Sequence, residues 1–245
     1  MGSKIFCKID GKDIPLVTTG TSPFIGAGQF GFKGLEWRQR FLNNPDKMLE
    51  ILETSYQAGA RGIEAIPTGK ILDAAKVMID TYSDYVITGS TYPGIDPKIE
   101  VLIANGAKLI FVHAVISDRK DRIMTKLLDA ISNRGIIPGI ATHDPVSMIR
   151  YVIENNLNVR VFLIPFNANR IFMGNAKELE EIVDNTKEYH FIGMKTLAAG
   201  AIIPKIAFNY VSKHNITAVT IGMVTKQQAE ESTKIALKAL SSKKV

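Results

Sequence analysis

The chain has 245 residues, of which 46% are hydrophobic and 22% are charged, an ordinary composition for a globular protein. Its single cysteine, Cys7, excludes an internal disulfide and a cysteine-based metal cluster and favours a reducing compartment. The net charge of +6 comes from scattered Lys and Arg residues without interleaved aromatic residues, which argues against a nucleic-acid site. No apolar run is long enough to span a bilayer. We therefore expect a cytoplasmic protein with a small-molecule ligand and no membrane or nucleic-acid partner.

The first elements predicted along the chain are the two strands of a β-hairpin. Residues 5–9 and 14–17 are rich in strand-forming side chains, and Asp10-Gly11 between them is a turn signal. Residues 21–44 are rich in glycine and aromatic residues. For this segment we predict a long loop without regular structure of its own, and we expect its part from Phe24 to Trp37 to be poorly ordered without a ligand and to fold over the ligand site when one binds.

From residue 45 onward, a helical pattern and a short apolar strand alternate along the chain. Asn44-Pro45 marks the first of these helices by a capping residue followed by proline, and Ser117 is the predicted cap of the fourth. Because the strands are apolar on both faces, they fit a parallel sheet covered by helices. The strands after the first are predicted at residues 61–66, 85–88, 109–113, 136–141, 159–164, 189–195 and 217–221.

Eight strands that alternate with eight helices are the pattern of a closed barrel, and the chain length suits one such barrel. We therefore predict an α/β fold, a (β/α)8 TIM barrel with an N-terminal β-hairpin, formed by residues 1–245 as one domain. Active sites of this fold lie at the carboxyl ends of the strands. Candidate site residues are therefore sought at the predicted strand ends.

The last predicted strand passes through Gly222 into a helix that Thr225 is expected to cap, with Gln228 at the position that completes a capping box. Backbone N–H groups at the start of a helix bind anions, and the helix dipole favours negative charge there. Lys226 adds a positive side chain. This junction is a frequent phosphate site in TIM barrels, so the sequence predicts an anion site from Val224 to Lys226.

Four titratable side chains stand at predicted strand ends: Glu64, His113, His143 and Lys195. Glu64 lies among apolar neighbours, so its carboxyl group must be paired or must face the open end of the barrel. His113 and His143 are either site residues or structural ones. Lys195 is either an ionic partner of Glu64 across the barrel or a catalytic amine.

Four stretches carry a resemblance to a known family: residues 58–64 (AGARGIE), 109–113 (LIFVH), 194–200 (MKTLAAG) and 221–231 (IGMVTKQQAEE). In this order they resemble segments of the aldo-keto reductases, whose N-terminal hairpin is also similar. The second stretch resembles the strand with the family's active-site histidine, and the last resembles the strand and helix that bind the cofactor's phosphate and adenosine. The resemblance implies a TIM barrel, NADP or NAD as cofactor, and carbonyl reduction as the family's reaction.

The resemblance also implies a catalytic tetrad of Asp, Tyr, Lys and His, from which this chain departs. His113 matches the histidine, and Glu64 stands at the aspartate position. Residues 65–70 contain no tyrosine, although the family's proton donor belongs there, and residues 88–90 contain no lysine. The chain thus resembles a divergent member that lacks the general acid, with Lys70 as the nearest titratable side chain.

The resemblance implies cofactor-binding positions as well. Thr142 and His143 stand at the positions of the family's Ser-Asn pair, which holds the nicotinamide amide, and Asn167 falls near the position of a family asparagine. The segment for the cofactor's phosphate and adenosine supplies Gly222, Met223, Val224, Thr225, Lys226 and Glu231.

Three hypotheses follow from these residues. The first is a divergent reductase that binds NADP or NAD and uses Lys70 or His113 as the acid. The second is a non-redox barrel enzyme (a lyase, isomerase or hydrolase) that acts on a small phosphorylated or carboxylated compound through acid–base or Schiff-base groups, namely Glu64, His113, His143 and Lys195. Carboxylate and imidazole also suit a divalent metal, but their spacing does not require one, and we expect none. The third is a cofactor or effector binder without catalysis.

Overall fold

The structure, a computed structural model, describes residues 4–242. Its strands are β1 (Phe6–Ile9), β2 (Lys12–Pro15), β3 (Val17–Gly20), β4 (Gly62–Ala65), β5 (Val86–Ser90), β6 (Leu109–Val112), β7 (Ile137–Ala141), β8 (Val161–Pro165), β9 (His190–Met194) and β10 (Ile216–Gly222). Its helices are α1 (Phe32–Phe41), α2 (Pro45–Gln57), α3 (Ile71–Thr81), α4 (Ile99–Ala104), α5 (Ala114–Ser117), α6 (Arg122–Ser132), α7 (Pro145–Glu154), α8 (Ala176–Asn185), α9 (Pro204–Val211) and α10 (Lys226–Ser241). Within the described range, none of these helices combines the length and apolar content needed to cross a membrane.

Strands β3 to β10 form a closed parallel barrel in the order β10-β3-β4-β5-β6-β7-β8-β9, which confirms the predicted (β/α)8 TIM barrel. The strands are buried on both faces because helices cover the outside of the barrel. Closure brings the carboxyl ends of the strands together. Glu64 of β4, for example, lies between Gly20 of β3 and Thr88 of β5. The strand ends thus surround one opening, which we call the barrel mouth.

Strands β1 and β2 pair antiparallel, which confirms the predicted N-terminal hairpin. Ile9 and Ile14 of the hairpin are fully buried. Lys12 donates a hydrogen bond to the carbonyl oxygen of Gly135, which precedes β7. The hairpin therefore covers the amino-terminal end of the barrel, opposite the mouth, and leaves the mouth open to ligands.

Gly62 in β4 provides a test of how tightly the hairpin and the barrel pack. A Cβ atom at this position would lie 2.3 Å from the carbonyl oxygen of Val86 and 3.2 Å from Cγ of Pro15. Since a backbone atom cannot move aside, Gly62→Ala is expected to lower the free energy of unfolding by about 1–3 kcal/mol in a urea titration. Gly28→Ala is the control, because no heavy atom lies within 4 Å of its added Cβ. Equal unfolding midpoints for the two variants would contradict this account of β4.

Residues 21–44 are not a loop without regular structure, and that prediction is wrong. The segment contains a 3₁₀ turn and helix α1. The ring of Phe24, which is fully buried, lies 4.7 Å from that of Phe41, and Phe30 packs edge-on against Trp37 at 5.0 Å. These aromatic pairs give the segment its own small core. The reason that sequence patterning misses it is that the helix buries only part of one face.

The predicted helix cap at Ser117 is also wrong. Ser117 ends the short helix α5, and its hydroxyl donates a hydrogen bond to the carbonyl oxygen of Ala141. The cap of α6 is Asp121, whose carboxylate accepts hydrogen bonds from the backbone N–H groups of Ile123 and Met124. The chain therefore makes an extra turn beside the mouth before the outer helix begins.

Candidate functional site

Two adjoining cavities open at the barrel mouth. The central cavity, of about 560 Å³, lies over the barrel and is lined by Ser90, His113 and His143 among others. The side cavity, of about 270 Å³, lies between the segment that follows β9 and the junction of β10 with α10. Both cavities are lined by Ser22, Gln29, Glu64, Leu163, Met194 and Lys195. The cavities are therefore contiguous, and a carboxyl group and an amine stand where they meet.

Glu64 has no cationic partner within residues 4–242. It is 4% exposed, and its Oε1 accepts a hydrogen bond of 2.6 Å from Oγ of Ser90. Burial raises the pKa of Glu64 to about 7, and the hydrogen bond from Ser90 only partly opposes this effect. A carboxyl group that gains and loses a proton near neutral pH beside a ligand cavity is a candidate general acid and base.

Lys195 directly follows β9 and lines both cavities. Its Nζ lies 4.7 Å from the ring centre of Phe172. Burial lowers the pKa of Lys195, although the carboxylate of Asp118 acts in the opposite direction. Across the described part of the chain, Lys195 and Glu64 form no ion pair, so the alternative in which Lys195 neutralises Glu64 is not realised. The amine is therefore left facing ligand space.

His113 follows β6 and caps helix α5. Its Nδ1 accepts a hydrogen bond of 3.2 Å from the backbone N–H of Val115, so the neutral ring carries its proton on Nε2. Burial, followed by the charge of His143, lowers the pKa of His113 to about 4, while Asp118 opposes the shift. His113 is therefore neutral at pH 7 and offers the central cavity a hydrogen-bond donor.

Asp118 is the main site residue that sequence reasoning misses. Its carboxylate accepts hydrogen bonds of 2.6 Å from Oγ1 of Thr142 and 3.1 Å from the backbone N–H of His143, and it lies 3.5 Å from Nδ1 of His143. Burial raises the pKa of Asp118, but the hydrogen bonds from His143 and Thr142 outweigh burial and lower it overall. Asp118 thus orients His143 at the edge of the central cavity.

In residues 4–242, no group of three or more His, Cys, Asp or Glu side chains is placed to hold a metal ion.

The predicted cofactor segment reaches the side cavity in part, through Gly222, Val224 and Glu231. The backbone N–H of Val224 donates a hydrogen bond of 3.0 Å to Oε1 of Gln228, and Oγ1 of Thr225 accepts one of 3.1 Å from the N–H of Gln228. The side chain of Gln228 therefore accepts from the N–H of Val224, one residue before the cap residue Thr225, whose N–H is the donor in the predicted capping box. As a result, the N–H of Val224 is already satisfied within the protein, and an anion must use other groups.

Several residues singled out from the sequence line neither cavity, namely Lys70, Thr142, Asn167, Met223, Thr225 and Lys226. Lys70 pairs with Asp73 at 2.8 Å on the surface. The side-chain amide of Asn167 donates to the carbonyl oxygen of Ile171 and accepts from its N–H. The structure thus brings Glu64, His113, His143 and Lys195 together at the mouth and holds Lys70 apart from them.

The wall of the side cavity contains unusual backbone. Lys195, Ala198 and Ala199 have φ angles of 55°, 49° and 55°, in the left-handed region that costs a non-glycine residue roughly 1–2 kcal/mol. Hydrogen bonds within the segment hold this shape, including one of 2.8 Å from the N–H of Ala198 to the carbonyl oxygen of Lys195. Strained backbone of this kind concentrates at ligand sites, which fits the position of the segment beside the cavity.

Comparisons with known proteins place the chain by its fold. No family model matches it, and no curated protein matches it by sequence. A protein described as an aldo-keto reductase from Pseudomona aeruginosa superposes with a TM-score of 0.69 at 14% identity, over 94% of this chain and 92% of that one. A mutant of Gox0644 in complex with NADPH superposes with a TM-score of 0.67 at 12% identity, over 98% and 93% of the two chains.

The likeness extends to barrels with other chemistry. The 2-keto-3-deoxy-6-phosphogluconate aldolase of Zymomonas mobilis, solved with 3-phosphoglycerate, superposes with a TM-score of 0.53 at 16% identity, over 80% of this chain and 87% of that one. At such identities the likeness shows the fold alone. The protein is therefore a TIM barrel with the fold of the aldo-keto reductases, and its chemistry depends on its own site residues.

Proposed function

We propose that this barrel binds a nicotinamide dinucleotide, NADP or NAD, with the phosphate-bearing part in the side cavity and the nicotinamide towards the central cavity. The observation that carries the proposal is the course of the side cavity, which extends from Glu231 on α10 to Glu64 at the barrel centre and opens into the central cavity. Taken together, the two contiguous cavities have a volume within the range of roughly 300–1,000 Å³ that is usual for ligand sites. The chemistry that the cofactor supplies when bound is hydride transfer.

Groups along the side cavity fit the parts of a dinucleotide. The carboxylate of Glu231 can accept hydrogen bonds from ribose hydroxyls or from the adenine amino group. Val224, which lines the cavity, directly precedes Thr225, the cap of α10, so the helix dipole favours a pyrophosphate there although the N–H of Val224 is already bonded. Trp37 lines the same cavity and offers an aromatic face to a planar ring. The NADPH complex of the fold neighbour Gox0644 supports this proposal.

Ala199 provides a test of phosphate binding, because it is exposed, lines the side cavity and has a φ of 55° that Asp and Asn both tolerate. Ala199→Asp places a negative charge beside the proposed phosphates and is expected to raise the Kd for NADPH about tenfold, which corresponds to about 1.4 kcal/mol. Ala199→Asn has the same shape without the charge and is expected to bind as the wild type does.

Calorimetric titration with NADPH and with NADH measures both variants and distinguishes NADP from NAD. Failure of the wild-type protein to bind either cofactor at millimolar concentration would reject the proposed function. Equal Kd values for the Asp and Asn variants would place the phosphates elsewhere.

A second candidate function is non-redox acid–base chemistry on a small carboxylated or phosphorylated carbonyl compound. The observation that favours it is that the central cavity holds both Glu64, with its pKa of about 7, and His113, which is neutral at pH 7. In such a pair the carboxyl group moves protons and the neutral imidazole donates a hydrogen bond to the carbonyl oxygen, so that no cofactor is needed. The aldolase barrel among the fold neighbours is consistent with this candidate. The second candidate function is tested by following the exchange of solvent deuterium into the carbon next to the carbonyl of a 2-oxo acid. Wild-type protein that gave no exchange would reject this candidate.

A further inference from the structure

We propose that Lys195 is a nucleophile that forms an imine with a small carbonyl compound bearing a carboxylate, and that Glu64 moves the protons of that reaction. This inference rests on the second candidate function and does not depend on dinucleotide binding. Its basis is geometric, since Lys195 and Glu64 both stand at the junction of the two cavities, and His113 lines the larger one.

The surroundings of Lys195 suit a nucleophilic amine. A lysine attacks a carbonyl only when it is uncharged, and burial in a partly apolar pocket favours the uncharged form. Met194 and Leu197 line the side cavity together with Lys195, and the ring of Phe172 from the loop after β8 lies 4.7 Å from Nζ. The pKa of Lys195 is lowered accordingly, despite the opposing charge of Asp118.

The carboxyl group of Glu64 is free for proton transfer. Its one hydrogen bond, from Ser90, uses Oε1. It makes no ion pair with Lys195 or with another cation in the described part of the chain. A carboxyl group with a pKa of about 7 is protonated often enough to act as an acid and ionised often enough to act as a base at neutral pH.

The proposed steps are balanced without an external oxidant or reductant. The uncharged Nζ of Lys195 adds to the carbonyl carbon while the carbonyl oxygen takes a proton from Glu64. The Glu64 carboxylate then takes a proton from the nitrogen, which gives a neutral carbinolamine, and returns that proton to the hydroxyl group, which leaves as water. The product is the protonated imine, which withdraws electrons from the adjacent carbon, so that the Glu64 carboxylate removes a proton there and solvent returns one.

The carboxylate of the substrate is inferred from the hydrogen-bond donors in the central cavity. Ser22, Gln29 and His113, whose ring carries its proton on Nε2, line it. Glu64 is the single acidic side chain among the described lining residues of this cavity. A short 2-oxo acid therefore fits this site better than an uncharged aldehyde of similar size.

The experiment is reductive trapping with pyruvate and cyanoborohydride, followed by intact-mass and peptide-mass analysis. Wild-type protein is expected to gain one pyruvate-derived group, located on Lys195. Lys195→Arg keeps the positive charge and is expected to lose at least about nine-tenths of this labelling, as removal of a nucleophile requires. Lys205→Arg is the matched control, because Lys205 is exposed at the start of α9 and lines neither cavity.

Further outcomes separate the parts of the inference. Glu64→Gln is expected to slow trapping and deuterium exchange roughly 10²-fold or more, since it removes the acid and base, while the label stays on Lys195. Labelling spread evenly over surface lysines would overturn the imine. Deuterium exchange that survives in Lys195→Arg would also overturn it and would leave the acid–base candidate standing. Equal trapping of propanal and pyruvate would overturn the requirement for a carboxylate. Peptide mapping of the wild type decides the site even if a variant fails to fold.

Discussion

Purified protein that is supplied with NADPH and a panel of aldehydes and ketones is expected to consume the cofactor at far less than about one turnover per second, the low end for typical enzymes. Hydride transfer to a carbonyl creates an alkoxide, which must be protonated or strongly hydrogen-bonded as it forms. General acid catalysis of this step contributes roughly 10²–10⁴ in rate. No tyrosine is found among the described residues that line the two cavities. His113 can still polarise a carbonyl, so the protein is expected to bind carbonyl compounds although it hardly turns them over.

A rate near or above one per second would contradict this expectation and would mean that another side chain acts as the acid. Two variants then identify it. Glu64→Gln removes the buried carboxyl group with a pKa of about 7 and is expected to abolish such activity. Lys70→Met is the control, since Lys70 pairs with Asp73 and lines neither cavity. If Lys70→Met removed the activity instead, the surface position of Lys70 would have to change on ligand binding.

Stability is expected to depend on pH through Glu64. Its pKa is raised from the ordinary 4.5 to about 7 in the folded protein because burial disfavours the carboxylate. Between these values the folded state binds more protons than the unfolded state does, so the free energy of unfolding falls as the pH rises. The loss is about 3 kcal/mol across the window, at about 1.4 kcal/mol for each pKa unit. Below pH 4.5 none of this free energy of unfolding is lost, and well above pH 7 the loss is complete.

Glu64→Gln isolates this contribution, because glutamine keeps the acceptor for Ser90 and cannot ionise. In urea titrations the variant is expected to be more stable than the wild type by about 3 kcal/mol at pH 8 and about equal at pH 4. Glu53→Gln, at an exposed position of α2, is the control and is expected to leave the pH profile unchanged. If the free energies of unfolding of Glu64→Gln and the wild type changed with pH in parallel, the carboxyl group of Glu64 would ionise in the folded state without destabilising it.

The architecture follows from short stretches of sequence. Asp10-Gly11 forms the hairpin turn, and Asn44 caps α2, which begins at Pro45. The β-branched run before Gly222 forms the last barrel strand, and Thr225 caps the helix after it. Each signal acts within a few residues, so it can be read without knowledge of distant contacts. The order of such signals is enough to predict the barrel and its hairpin.

The barrel topology carries part of this information to the site. Parallel strands of a closed barrel all end at the same opening, so the strand-end positions of Glu64, His113, His143 and Lys195 were enough to predict that they share it. The structure places all four around the central cavity. Their chemical roles stay a prediction, because a shared opening does not decide which way each side chain is paired.

Tertiary contacts alone decide those pairings. Asp118 binds Thr142 and the backbone of His143 because the extra turn at α5 brings it beside β7, and Lys195 faces the ring of Phe172 instead of Glu64. Helix α1 likewise depends on aromatic contacts such as that of Phe24 with Phe41, which the sequence pattern does not predict. The direction of a side chain and its loss of water depend on segments far apart in the chain. Local sequence therefore determines the scaffold and the opening, whereas desolvation and long-range packing decide which groups remain free to react.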